Sequence, residues 1–214
     1  MQKKVMKNFL IDLDGVILNL DYDNFFWQKH IPKVYAELHK ISFKDACLVT
    51  KQIFNYKRKT KDWYDIDYWS NMLNVDIKKE KEDNIEKIDI MKGAVEFLES
   101  LVKKNKNLFL ITNAHEKTLK IKLKKYNIKK YFKDIICSHQ LSYIKEEIQF
   151  WYILKNKLNI SFKNSVLIED TLDNLIAAHS AGLENLIYIN KEKSKSRIIN
   201  PLTVKSLSDL SSAF

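Results

Sequence analysis

Phe9-Leu10-Ile11-Asp12-Leu13-Asp14-Gly15-Val16 is the stretch whose reading decides the fold. An apolar run that stops on an aspartate reads as a short strand buried on both faces, as in parallel sheets. Working outward from it, four more such runs appear: Leu108–Thr112, Ile135–Ser138, Ser165–Asp170 and Asn185–Asn190. Helical stripes lie between them. Ala94–Lys103 aligns Val95, Leu98, Leu101 and Val102, and Thr118–Tyr126 aligns Leu119, Leu123 and Tyr126; Glu146–Leu158 and Leu172–Ala181 follow. Alternating strands and helices specify an α/β fold with a doubly wound, mostly parallel sheet.

The first strand stands apart, because too many residues separate it from Leu108 for a single crossover. Helical patterns fill the interval at Asn24–His39, Ser42–Asn55 and Tyr64–Leu73, with a high density of aromatics. We therefore expect a core of residues 1–16 and 90–214 carrying a helical insert, 17–89, that returns near Met91-Lys92-Gly93. Average usage would give roughly 15 glycines in a chain of this length, yet there are 3. Gly15, Gly93 and Gly182 should each sit where φ is positive or a Cβ cannot fit.

Lys3, Lys4 and Lys7 precede an apolar stretch, but Asp12 and Asp14 interrupt it and no small-residue cleavage site follows, so a signal peptide is not expected. No uncharged run is long enough to span a bilayer. Cys47 and Cys137 have no metal-ligand spacing, which suits a reducing, cytoplasmic setting. The net charge of +10 is spread along the whole length, with Lys57-Arg58-Lys59-Thr60-Lys61 as its one patch. That distribution argues against a nucleic-acid partner.

The expected strands end in Asp12, Thr112, Ser138, Glu169-Asp170 and Asn190, and open α/β sheets bind ligands at that edge. Ser138 and Asn190 are ordinary strand terminations. Asp12, Asp14, Glu169 and Asp170 are harder to dismiss, because four converging carboxylates repel one another unless a divalent cation joins them. All-oxygen ligation is what Mg²⁺ takes. In Asp12-Leu13-Asp14 the two side chains point the same way, roughly 6.5–7 Å apart in an extended chain. One can attack phosphorus while the other protonates the leaving oxygen. Thr112 offers a hydroxyl, and with Asn113 backbone N–H groups, to phosphate. Lys145 would balance the charge there.

Asp12-Leu13-Asp14-Gly15-Val16, Thr112-Asn113, Lys145 and Glu169-Asp170-Thr171, in this order, resemble the four motifs of the haloacid-dehalogenase-like (HAD) phosphohydrolase superfamily. The resemblance implies a Rossmann-like core and an aspartyl-phosphate on Asp12. It also implies Mg²⁺ held by Asp12, the Asp14 backbone carbonyl and Asp170, with Glu169 beside them, and an insert that forms a helical cap. Within the superfamily, Asp21–Trp27, Trp63–Trp69 and Thr112-Asn113-Ala114-His115 resemble bacterial GMP/IMP nucleotidases. The substrate implied is a small phosphate monoester, a purine nucleotide. Ile144 departs from the resemblance where a proline commonly precedes the lysine, which would loosen the loop; Glu169 departs where an aspartate is common, as in phosphosugar mutases.

For the cap, Trp63, Tyr68 and Trp69 read as helical core. The sharper alternative stacks one or two of Phe25, Phe26, Trp27 and Trp63 on a purine, with Asn24 or Asp21 reading its edge. His115 is either a support for Thr112 or a helix N-terminal group. Two other functions compete: a phosphatase or mutase for sugar phosphates, and a basic nucleic-acid-binding module with an idle site.

Overall fold

The computed structural model describes residues 6–190 and 198–210, so Lys3 and Lys4 lie outside the described residues. The sheet has six parallel strands, β1 (Asn8–Ile11), β2 (Asn107–Thr112), β3 (Asp134–Cys137), β4 (Ser165–Glu169), β5 (Asn185–Ile189) and β6 (Leu202–Val204), in the order β3-β2-β1-β4-β5-β6. The expected α/β parallel sheet is present, with the helical insertion after its first strand. β6 was not foreseen. It is a three-residue edge strand with Leu202 and Thr203 exposed, so it shows no buried apolar run.

Strand order reverses at β1, which pairs with β2 on one side and β4 on the other. The register sets Ile11 beside Leu110 and Ile168, so the next residues, Asp12, Ile111 and Glu169, lie side by side at the carboxyl end of the sheet. The crevice beyond such a reversal is where open α/β sheets bind ligands. One side of the sheet is closed by Phe150, Trp151 and Leu154 packed with Leu10, Ile111 and Leu167.

The described chain forms two compact units: residues up to Asn19, Ile90–Asn113 and residues from Asn127 onward; and Leu20–Asp89 with Ala114–Tyr126. The second is helical, and its core is Phe26, Ile31, Phe54, Ile66, Trp69, Leu73, Val75 and Ile77. One helical run covers Asp21–His39, although Pro32 lies inside it. A proline there lacks its N–H and crowds the carbonyl four residues back. The chain answers with a π turn over Phe26–His30, in which the Ile31 N–H donates to the Phe26 carbonyl five residues back.

The sequence assigns 114–126 to the core, whereas here it belongs to the helical unit. Helix Glu116–Lys125 buries Thr118, Leu119, Ile121 and Lys122 rather than the stripe through Leu123 and Tyr126. The cause is electrostatic. Lys122 Nζ donates to Asp23 Oδ2 at 2.5 Å, and Lys81 Nζ donates to Asp23 Oδ1 at 3.1 Å. Both ammonium groups are almost wholly buried. Burial alone would raise the Asp23 carboxyl, but Lys122 and Lys81 outweigh it and hold it well below the usual carboxylate range. The Lys81 ammonium also lies 4.2 Å from the Phe26 ring centroid and 4.9 Å from that of Tyr22.

Among the described residues no helix is long and apolar enough to cross a membrane. Both cysteines are free thiols.

Candidate active site

Lys145 organises the carboxyl end of the sheet. Its side chain is 2% exposed, and Nζ donates to Asp12 Oδ1 at 2.6 Å, Glu169 Oε2 at 2.8 Å and the Ile111 carbonyl at 3.3 Å. These are the three positions that the β2-β1-β4 register brings together. An ammonium has three donors, and all three are used. Burial would push this lysine down, but Asp12 and Glu169 outweigh it and raise it above its ordinary value.

The loop that delivers Lys145 is held from several sides. Its backbone N–H donates to Asn113 Oδ1 (2.9 Å), and its carbonyl accepts from the Trp151 indole N–H (2.7 Å). Asn113 Nδ2 donates to Glu146 Oε2 (2.8 Å). The Asn113 amide therefore brackets the lysine loop. The Ile144 N–H donates to Glu147 Oε2 (2.8 Å), and the Glu147 N–H returns to the Ile144 carbonyl (3.0 Å). A proline at 144 could not donate that bond. Contrary to expectation, isoleucine here anchors the loop. Glu146, Glu147 and Trp151 escaped sequence reasoning, because a glutamate beside a helix start and a tryptophan within one are ordinary there.

Asp12 is buried at the tip of β1, and its N–H donates to the Ile168 carbonyl at 3.0 Å. Burial, and then the charge of Glu169, raise its carboxyl well above the usual range, with Lys145 opposing. Glu169 is pushed up to about 7, chiefly by burial; Asp170 reaches about 6 through burial and the charge of Asp12. Glu169 is fully committed within the protein. Oε1 accepts the N–H groups of Asp170 and Thr171 at 3.1 Å each, and Oε2 accepts Lys145. The Thr171 hydroxyl donates to Asp170 Oδ1 at 3.1 Å.

Carboxylate oxygens of Asp12, Glu169 and Asp170 lie within 4.8 Å of one another. Three acids, Asp12 and Glu169 buried and Asp170 half-buried, face a single ammonium and remain under-neutralised, so the donor set fits a hard divalent cation. Thr112 is buried at the end of β2, and Asp14 is half-buried two residues past Asp12.

Past Asp12 the chain makes a tight turn over Leu13–Leu18, in which the Leu18 N–H donates to the Leu13 carbonyl and the Gly15 N–H to the Leu18 carbonyl. All three glycines have positive φ, as expected. At Gly15 (φ +80°) a Cβ would stand 1.9 Å from Asp170 Oδ2. Gly15→Ala should therefore cost about 1–2 kcal/mol in backbone strain and displace Asp170. Turnover should fall by about 100-fold or more, since small misplacements at a site are that costly. Steady-state rates beside a melting curve check this; a variant keeping near-normal turnover would show that Asp170 can yield.

The cap candidates lie in the helical unit. Asn24 is exposed, and its Oδ1 accepts Gln28 Nε2. Trp27 and Trp63 are half-buried and pack edge-to-face with Phe54 and Trp69, so both indoles serve the aromatic core of that unit. His115 caps helix Glu116–Lys125, its Nδ1 accepting the Lys117 N–H.

Residues 9–187 match the haloacid dehalogenase-like hydrolase family. Over 185 residues the chain is 27% identical to GMP/IMP nucleotidase YrfG of Escherichia coli K12, covering 86% of this chain and 83% of that one. Among solved structures it is similar to a HAD phosphatase from Thermococcus onnurineus, with TM-score 0.84, 20% identity and 96% of each chain covered. It is also similar to YfnB from Bacillus subtilis, solved bound to magnesium, with TM-score 0.73, 17% identity and 97% of each chain covered. With that fold, and with the family match running from β1 into β5, the chain belongs to the haloacid dehalogenase-like hydrolases.

Proposed function

We propose that this hydrolase cleaves phosphate monoesters through an aspartyl-phosphate on Asp12, with Mg²⁺ as cofactor and purine nucleoside monophosphates, GMP and IMP, as substrates. The observation that carries the chemistry is the buried Lys145, which neutralises one oxygen of Asp12 and leaves the other for phosphorus. Asp12 forms the new P–O bond as the ester P–O bond breaks, and Asp14 gives its proton to the leaving oxygen. Asp14 then takes a proton from the water that attacks the aspartyl-phosphate, releasing inorganic phosphate and restoring Asp12. The Thr112 hydroxyl and the Asn113 N–H hold the transferring group. Asp12, Asp170 and the Asp14 carbonyl would hold the metal, which supplies charge neutralisation on phosphate oxygens. Glu169, its oxygens already committed, positions Lys145 and the 170–171 backbone. The bound magnesium of YfnB supports the cofactor, and the name of the YrfG relative supports the substrate.

Two measurements test the reading. IMP and GMP should release phosphate faster than hexose phosphates with Mg²⁺, and no substrate should do so in EDTA; faster hexose phosphates would move the assignment to the sugar-phosphate alternative. In melting experiments, Glu169 and Asp170 are raised above their unfolded values, so their contribution to stability is full at low pH and lost as pH rises through about 6–7. In EDTA the melting temperature should therefore drop between pH 5 and pH 8. Mg²⁺ should restore it at pH 8 by binding the folded state. A melting temperature indifferent to Mg²⁺ at pH 8 would remove the metal from the proposal. The nucleic-acid alternative has less support, since Lys57 of the basic run is engaged by Asp62 at 2.7 Å and lies over the Tyr68 ring.

A further inference from the structure

Asn113 joins three chain segments at the carboxyl end of the sheet, and all of these contacts lie within the unit that carries the sheet. The buried Ser138 hydroxyl, just past β3, donates to the Asn113 carbonyl at 3.4 Å. The Asn113 side chain faces the lysine loop, where Oδ1 accepts the Lys145 N–H at 2.9 Å and Nδ2 donates to Glu146 Oε2 at 2.8 Å. A donor and an acceptor on consecutive residues thus meet the two ends of one amide. Only one orientation satisfies both. Turned over, the amide would set N–H₂ against N–H and oxygen against oxygen, and both bonds would be lost. Glu146, half-buried, is therefore the group that keeps Oδ1 on Lys145. Lysine has a flexible four-carbon stem, so its Nζ can meet Asp12, Glu169 and the Ile111 carbonyl together only if its backbone is fixed. Asn113 fixes the N–H and Trp151 the carbonyl. A line of hydrogen bonds then runs from Glu146 through Asn113 and Lys145 to Asp12.

We propose that Glu146 is a positioning residue for the reaction: by fixing the Asn113 amide it places Lys145, and through Lys145 it orients the Asp12 carboxylate. This rests on the phosphatase chemistry above and not on the choice of nucleotide. Ser138 holds the Asn113 backbone independently, so the amide can turn without moving the N–H that serves phosphate. Loss of Glu146 should therefore appear in kcat and leave KM within about 3-fold.

The test uses Mg²⁺ and whichever of IMP and p-nitrophenyl phosphate the unaltered protein cleaves faster. Glu146→Ala should lower kcat by about 10- to 100-fold, as removal of a group that orients an active residue typically does. Glu146→Gln keeps an oxygen for Asn113 Nδ2 and should recover most of that loss. Exchanging the partners is the sharper arm. Asn113→Asp sets two carboxylates where a bond of 2.8 Å stood, and kcat should fall by about 100-fold. The double variant Asn113→Asp/Glu146→Gln restores the bond with its donor on the other side, and should be at least about 10-fold faster than Asn113→Asp alone. Two independent folding defects would add instead. If Glu146→Ala does not fold, the exchange pair decides. An unaltered kcat in folded Glu146→Ala, or a double variant no faster than Asn113→Asp, overturns the inference while the phosphatase reading stands. An unaltered protein that releases no phosphate from either substrate with Mg²⁺ would overturn that reading, and this inference with it.

Discussion

Lys145→Met is expected to lower folding stability by about 3–5 kcal/mol at pH 8 in EDTA, the usual cost of breaking a buried ion pair from one side. Methionine matches the length of the lysine stem but brings no charge. Asp12 and Glu169, both buried, would then share a site with Asp170 and no cation. Their carboxyl groups, already raised by burial, should rise further. A raised carboxyl binds its proton more tightly in the folded state, so the variant gains stability as pH falls and loses it as pH climbs. Denaturant melts at pH 5 and pH 8 should show the larger deficit at pH 8. A deficit of equal size at both would mean that packing, not charge, is what Lys145 supplies. The double variant Lys145→Met/Asp12→Asn should recover part of the loss, since the two side chains share one interaction. Turnover should be lost in both variants.

For Asp12→Asn alone the two readouts should part. Removing a covalent nucleophile costs about 10⁴-fold or more in turnover, because an amide oxygen at this position cannot form and release the phosphoryl intermediate. Stability should move the other way. The raised Asp12 carboxyl means that its ionised form is disfavoured in the folded protein, by burial first and by Glu169 second. A neutral amide of the same shape removes that cost, and Lys145 keeps Glu169 as its partner at 2.8 Å. The melting temperature in EDTA should therefore rise, the signature of a site that sacrifices stability for chemistry. Phosphate release and a thermal melt on the same preparation decide it. An inactive variant that melts lower would point to lost structure instead.

How far the sequence could be read depended on whether a residue's role was local. β1 was legible because four consecutive buried residues and the aspartate after them leave little choice, and Gly15 because a nearly glycine-free chain keeps one there for a reason. β6 was not legible, since a three-residue exposed edge strand carries no pattern that a loop lacks. Lys145 could be picked from among 37 basic residues only by its place after the third strand. Lys122 had no such marker, and its burial against Asp23 depends on a partner 99 residues away. Trp27 and Trp63 show the same limit: their density announced an aromatic core, but not which rings would be enclosed by it.

The grouping of 114–126 with the helical unit sets terms for anyone exchanging that unit between relatives. A graft cut at 19/20 and 89/90 looks natural along the chain, yet it would carry away Asp23 and Asp67 and leave behind Lys122 and also Lys117, whose Nζ donates to both oxygens of Asp67. Lys122, 2% exposed here, would lose its carboxylate at a stroke. A transplant that also takes Ala114–Tyr126 moves both charge pairs intact, so the exchangeable module is made of two pieces of chain rather than one.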